Sequence, residues 1–221
     1  MSTEQTVAIH ELPEGFEATF VPGVIESFVR ALQSAYDSTC EGHRPAVGNN
    51  EATFGFTLYH SVTFFLDQAA TESSKLLFDV RSRAPKFRLS VKDFEVGCYR
   101  VGRLATEDIW SSFPENDDAA PMLVEEQLWL PGVPNGSGVK KARNLILAHF
   151  GNPDDGLCAV YLCVPSRIEK EKISGWACAQ LLWKIGDSIP QPVMLNAERV
   201  PEETVPEPQF GKIRKDREKR E

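Results

Sequence analysis

The sequence has few cysteines and no paired cysteine motif. Its five cysteines, an odd number, include no C-x-x-C spacing, which argues against a zinc knuckle and a thioredoxin-type redox site. Cys158, Cys163 and Cys178 lie inside apolar runs, where a free thiol behaves as a small hydrophobic group. We therefore expect free thiols in a reducing compartment, and we predict a cytoplasmic protein that holds no metal and no cofactor.

An excess of basic residues and a long apolar run are also absent. Lys and Arg number 24 against 32 Asp and Glu, which gives a net charge of −8. Binding to a phosphate backbone needs clustered positive charge, so we do not expect nucleic acid as a partner. No apolar run approaches the roughly 18 residues of a membrane span. The chain does not open with a basic and then an apolar segment, so we expect neither a membrane partner nor a signal peptide.

What is present is the composition of a globular chain, with 42% hydrophobic and 25% charged residues. A length of 221 residues favours one domain, which we place at 21–199 after an N-terminal arm at 1–20. Residues 200–221 are rich in proline and charge, with basic and acidic residues in equal number. This composition predicts a disordered C-terminal tail.

The most informative segment is a predicted β-hairpin. Two apolar runs, Leu145–Phe150 and Leu157–Val164, flank the sequence Gly-Asn-Pro-Asp-Asp-Gly. The runs are nearly continuous in apolar residues, a pattern typical of strands that are covered on both faces and lie inside a sheet. The residues between them are those that a tight connection requires for backbone reasons.

Two segments have helical spacing. One apolar stripe predicts a helix over 23–40. The segment 54–70 combines a helical face with residue types that favour strands. Its length favours a helix, with Thr53 as the N-cap residue.

Shorter segments indicate strands. Lys75–Arg81 and Lys86–Val91 predict a hairpin, and a change of side-chain parity predicts a bulge or turn at residues 92–93. Met122–Leu130 predicts a further strand, and Ile173–Ile185 predicts a buried element, either helix or strand.

A short helix is predicted over 106–113, with Thr106 as its N-cap. Because the strands come in hairpins, we expect an α+β fold with a mostly antiparallel sheet of about five or six strands. The helices at 23–40 and 54–70 are expected to cover this sheet.

His149 is the first candidate site residue, because it ends the first strand of the hairpin and the turn does not require its type. Asp154 and Asp155 follow in the loop. A base or metal site is one hypothesis, since carboxylates suit hard cations and imidazole suits transition metals. The favoured interpretation of the loop is a plain turn.

Three acidic residues are further candidates. An inward-facing Glu125 would have a raised pKa and act as a base, although an edge strand explains it better. Asp93 and Glu95 follow the strand of Asp79 much as acids do in metal-dependent nucleases. The lysine that such nucleases carry two residues after the second acid is missing.

Two other groups of residues are weaker candidates for a functional site. Cys40, His43 and His60 supply the residue types of a thiol site, but Cys40 ends a helix, where the dipole disfavours a thiolate. Gly48–Gly55 precedes a helix and offers backbone amides to an anion, but it matches no phosphate-loop motif.

The sequence therefore favours a non-catalytic domain that binds another protein or a small ligand, with a homo-oligomer left open. The alternative is a metal-dependent hydrolase, with nucleic acid as one substrate, that uses His149, Asp93, Glu95 or Glu125. Convergence of these residues in one pocket would favour the enzyme.

Overall fold

The computed structural model describes residues 12–73, 75–83, 86–114, 143–169 and 172–189. Three α-helices, α1 to α3, span Phe16–Thr19, Pro22–Gly42 and Glu51–Glu72, and single 3-10 turns span Pro45–Val47 and Ile109–Ser111. The strands β1 to β6 span Asp79–Ser82, Arg88–Val91, Phe94–Gly102, Arg143–Asn152, Gly156–Glu169 and Lys172–Lys184.

The six strands form one mixed sheet in the order of the chain, β1 to β6. Four neighbouring pairs are antiparallel, which confirms the α+β fold with a mostly antiparallel sheet. The exception is the parallel pair of β3 and β4. A parallel neighbour needs a long crossover connection, and the 103–142 segment between these strands is long enough to provide it.

The predicted hairpin is confirmed as β4 and β5, with Ile146 opposite Cys163 and His149 opposite Val160. Every residue from Leu145 to Phe150 is buried. Leu145 and Leu147 belong to the core shared with the helices, whereas the alternate residues Ile146, Ala148 and Phe150 pack into a second apolar cluster. The strand is therefore covered on both faces, as its continuous apolar run indicates.

Both predicted helices are present as α2 and α3, and they pack on the same face of the sheet. The N-cap prediction is wrong by one turn. Asn50 caps α3, because its side chain accepts a hydrogen bond from the Thr53 amide at 3.0 Å. The Thr53 hydroxyl oxygen accepts from the Asn50 amide at 2.7 Å, which completes a reciprocal capping box.

The observed strand and turn bounds test several of the local predictions. The turn at residues 92–93 is confirmed, and Lys92 adopts a φ of 51° there. The first strand of the β1–β2 hairpin begins later than expected, at Asp79. The undecided segment over 173–185 is strand β6. In place of a helix capped by Thr106, a 3-10 turn begins at Ile109 with Asp108 as its cap.

Parts of the predicted organisation fall outside the described residues. These are Glu125, the Met122–Leu130 strand, the tail at 200–221 and the first half of the N-terminal arm. The second half of the arm contributes Phe16 and Phe20, which are buried and contact Phe94. None of the described helices is long and apolar enough to cross a membrane.

Candidate functional site

The carboxyl ends of β3 and β4 lie side by side, because these two strands are parallel. Arg100 on β3 is the register partner of His149 on β4. Arg100 has the same parity as Cys98 on β3, and His149 the same parity as Leu147 on β4. Both therefore lie on the face of the sheet that packs against the helices, where Cys98 and Leu147 join the core.

His149 is bound to helix α2 by a buried hydrogen bond. The Tyr36 hydroxyl lies 2.9 Å from Nδ1 of His149, and the two residues have exposed fractions of 0% and 3%. Burial raises the pKa of Tyr36, so the phenol keeps its proton. A phenol hydroxyl is a strong donor and an unprotonated imidazole nitrogen is a strong acceptor, so we assign Tyr36 as the donor to Nδ1. The hydrogen of the neutral imidazole is then on Nε2.

The same environment keeps His149 uncharged. Burial, with a smaller contribution from the positive charge of Arg100, lowers the pKa of His149 to about 3. A histidine with so low a pKa is a weak base near neutral pH. In the assigned tautomer the ring carries a hydrogen-bond donor at Nε2.

Gly151 explains how the tyrosine ring reaches the strand. A Cβ atom at this position would collide with the Tyr36 ring and with the carbonyl oxygen of Gly156. Only glycine leaves room for the ring to lie against β4 at this point. The observed position of the Tyr36 ring therefore requires glycine at position 151.

Arg100 joins the two strands to helix α3. Its Nε donates to the Gly151 carbonyl at 2.9 Å, and its Nη1 donates to Glu51 at 2.6 Å. The guanidinium carbon lies 5.4 Å from the centre of the Phe54 ring. The third nitrogen, Nη2, is buried and has no hydrogen-bond partner among the described residues.

A cavity of about 160 Å³ lies next to this group. Its apolar wall comes from α3, through Leu58 and Val62, and its polar wall includes Arg100 and His149. Further lining residues are Gly55, Tyr59, Cys98, Tyr99 and Pro114.

Strand β2 is shorter than β3 and pairs with β3 only from Phe94 to Gly97. From Cys98 to Gly102, no strand of the described residues pairs with β3 on that side. The cavity is therefore lined in part by residues of β3 that lie beyond the end of β2.

The acidic loop of the hairpin lies in a neighbouring groove. Asp154 and Asp155 line it together with His43 and Arg103. The Asn152 side-chain oxygen accepts hydrogen bonds from the amides of Asp154 and Asp155, each at 2.8 Å, and so holds the turn. In the part of the chain that the structure describes, no three His, Cys, Asp or Glu side chains are placed to hold a metal ion.

Among the described residues, the acidic candidates Asp93 and Glu95 do not converge on His149. Glu95 lies five residues before Arg100 on β3, roughly 16 Å away along the strand, and pairs with Arg81 at 2.8 Å. Asp93 lies in the turn before it.

Each of the three residues in the thiol-site hypothesis makes a different contact. Cys40 has a thiol 3.8 Å from the Asn152 carbonyl, and burial raises its pKa. His43 contacts the Phe54 ring, whereas His60 contacts Phe56 on an exposed part of α3. None of these contacts activates the thiol.

Three residues that the sequence analysis missed build the site, namely Tyr36, Glu51 and Arg100. Tyr36 belongs to the apolar stripe of a helix and gave no signal beyond core packing. Arg100 did give one, because it shares the parity of Phe94, Val96 and Cys98, which face the core. An arginine at an inward position of a strand indicates a buried partner.

Comparison of the chain with protein-family models, with curated proteins and with solved structures gave no match.

Proposed function

We propose that this protein is a non-catalytic binding protein that holds a small ligand in the cavity between α3 and β3. The observation that carries the proposal is the cavity itself, whose lining combines an apolar wall with the buried side chain of His149 and the mostly buried side chain of Arg100. Small-molecule sites combine apolar walls with a few fixed polar groups in this way.

The chemistry of the lining favours binding over catalysis. His149 is neutral with a pKa of about 3, so it does not accept a proton near neutral pH. Burial raises the pKa of Cys98, the cysteine of the cavity, so its thiol is protonated and a poor nucleophile. A histidine with an ordinary pKa could act as a general base, and a cysteine with a lowered pKa could act as a nucleophile. The pKa values of His149 and Cys98 favour neither role.

We place the protein in a reducing compartment, the cytoplasm. All five cysteines are free thiols, and Cys98 and Cys163 are deeply buried. Free buried cysteines are typical of proteins that fold where thiols stay reduced. Self-association stays a prediction, and light scattering during size-exclusion chromatography tests it.

A cavity-blocking variant tests the proposed function. Gly55 lines the cavity, and a Cβ atom added there would meet no atom within 4 Å. We expect Gly55→Leu to fill the opening without disturbing the core. Gly23→Leu on α2 is the matched control, because Gly23 has the same open surroundings and lies outside the cavity.

The measurement is a thermal-shift screen of small molecules against the wild-type protein and both variants, since a ligand of the native state raises its melting temperature. We expect at least one compound to stabilise the wild type and Gly23→Leu but not Gly55→Leu. Compounds that stabilise all three proteins equally, or no stabilising compound at all, would overturn the proposal.

A further inference from the structure

The cavity constrains the ligand through its size, its hydrogen-bonding groups and its charge. Resting on the proposed function, we infer that the ligand is a monocyclic compound with one carboxylate, which accepts hydrogen bonds from Nε2 of His149 and from the guanidinium of Arg100. The other residues of the cavity provide the surface for the ring.

The size of the cavity fits one ring. Its volume is about 160 Å³. An apolar cavity of about 150 Å³ is large enough to hold benzene. Leu58 and Val62 form an aliphatic wall, and Tyr59 adds aromatic surface. A ring packs against such surfaces with little loss of conformational entropy, because it is rigid.

The hydrogen-bonding groups of the cavity require an acceptor. With Tyr36 assigned as the donor to Nδ1, His149, which lines the cavity, carries an N–H at Nε2. Nη2 of Arg100 is a buried donor without a hydrogen-bond partner among the described residues. A buried donor without an acceptor costs free energy, so a ligand that brings acceptor oxygens is favoured.

Charge favours a carboxylate over a neutral acceptor. The guanidinium of Arg100 lies beside His149, and its charge contributes to keeping that ring neutral. Glu51 binds Nη1 and leaves Nη2 unused. Hydrogen bonds between a guanidinium and a carboxylate are stronger than neutral ones, and an ammonium group is repelled.

Four probes of one ring size separate these requirements, namely benzoate, benzamide, toluene and benzylamine. We expect benzoate to bind most tightly, benzamide more weakly, and benzylamine not to bind. Titration calorimetry measures the affinities for the full-length wild-type protein.

The variant His149→Asn tests the contribution of the hydrogen-bond donor at Nε2. The asparagine oxygen takes the place of Nδ1 and still accepts from Tyr36, whereas the N–H of Nε2 is lost. We expect benzoate to bind roughly ten- to a hundredfold more weakly to this variant, the loss of one hydrogen bond to a charged group. His60→Asn, on the exposed part of α3, is the matched control and should leave the affinity unchanged.

A measurement on the wild type keeps the test independent of variant stability. The ¹⁵N and ¹H chemical shifts of the His149 ring report its tautomer directly. We expect a hydrogen on Nε2 in the free protein and a downfield shift of that hydrogen when benzoate is added. A hydrogen on Nδ1 would overturn the inference.

The affinities distinguish this inference from the proposed function. If toluene binds as tightly as benzoate, or benzylamine binds more tightly, the carboxylate assignment is wrong while the cavity remains a ligand site. If none of the four probes binds, the inferred ligand class is wrong. The proposed function falls only if the broader screen finds no compound that stabilises the wild type and Gly23→Leu but not Gly55→Leu.

Discussion

The Tyr36 hydroxyl and Nδ1 of His149 are 2.9 Å apart in space and 113 residues apart in the sequence. This bond joins the second half of helix α2 to the central strand β4. The two rings are nearly perpendicular, at 88°, with centres 5.6 Å apart. This contact therefore links the helix to the strand and orients the imidazole ring.

We predict that Tyr36→Phe lowers the free energy of unfolding by about 1–3 kcal/mol, because Nδ1 of His149 is left buried without a donor. Urea denaturation followed by circular dichroism measures the change. Tyr161→Phe is the control, since the Tyr161 hydroxyl makes no side-chain hydrogen bond to the described residues. Similar losses in the two variants would contradict the importance of the Tyr36–His149 bond.

The stability of the protein should fall as the pH is lowered below the usual histidine range. The pKa of His149 is about 3 in the native protein and about 6.5 in an unfolded chain. Between these values the unfolded state binds one more proton than the native state, so the free energy of unfolding decreases with decreasing pH. The slope from this one group reaches about 1.4 kcal/mol per pH unit.

The variant His149→Asn isolates this contribution, because asparagine does not titrate. We expect the stability difference between wild type and variant to shrink as the pH falls from about 7 to about 5, whereas the titration of carboxylates affects both proteins alike. Urea denaturation across this range is the measurement. Parallel curves for the two proteins would show that His149 is not held neutral.

Two glycines near the site should respond in opposite directions to alanine. Gly151→Ala should cost about 1–3 kcal/mol, because the new methyl group collides with the Tyr36 ring. Gly55→Ala should stabilise the protein by up to about 1 kcal/mol, because Gly55 lies within helix α3 and its surroundings are open. Thermal unfolding of both variants measures the two effects, and a stabilising Gly151→Ala would refute the close approach of Tyr36.

The parts of the fold that depend on local patterns were predictable. The continuous apolar runs of β4 and β5 identify strands that are covered on both faces, and the parity change after Val91 identifies a turn. The length of the segment at 54–70 correctly decided between helix and strand. In each case the pattern lies within about 20 residues of sequence, a length over which the periodicity of apolar and polar residues can be recognised.

The site was less predictable, because it depends on contacts between distant segments. His149 is a candidate because of its position at a strand end, yet its neighbour Arg100 reaches it only through the parallel pairing of β3 and β4, and Tyr36 only through the packing of α2 on the sheet. Hairpin patterns predict antiparallel neighbours and say nothing of a parallel strand reached by a long connection. The inward parity of Arg100 was the one local clue.

The ion pair of Arg100 and Glu51 supports a last prediction, which concerns the attachment of α3 to β3. The Arg100 side chain is only 19% exposed, and its Nη1 lies 2.6 Å from the Glu51 carboxylate in the first turn of α3. We expect Glu51→Gln to lower the free energy of unfolding by about 1–2 kcal/mol, because a mostly buried guanidinium loses its counter-charge. Urea denaturation measures the loss.

Asp67→Asn is the matched control for Glu51→Gln. Asp67 also belongs to α3 and also pairs with an arginine, Arg83, at 2.9 Å, but the Arg83 side chain is 74% exposed. Water screens an exposed ion pair, and its contribution to stability is small. We therefore expect Asp67→Asn to leave the stability nearly unchanged. Equal effects of the two substitutions would mean that Arg100 does not depend on Glu51, and that α3 is attached to β3 by apolar packing alone.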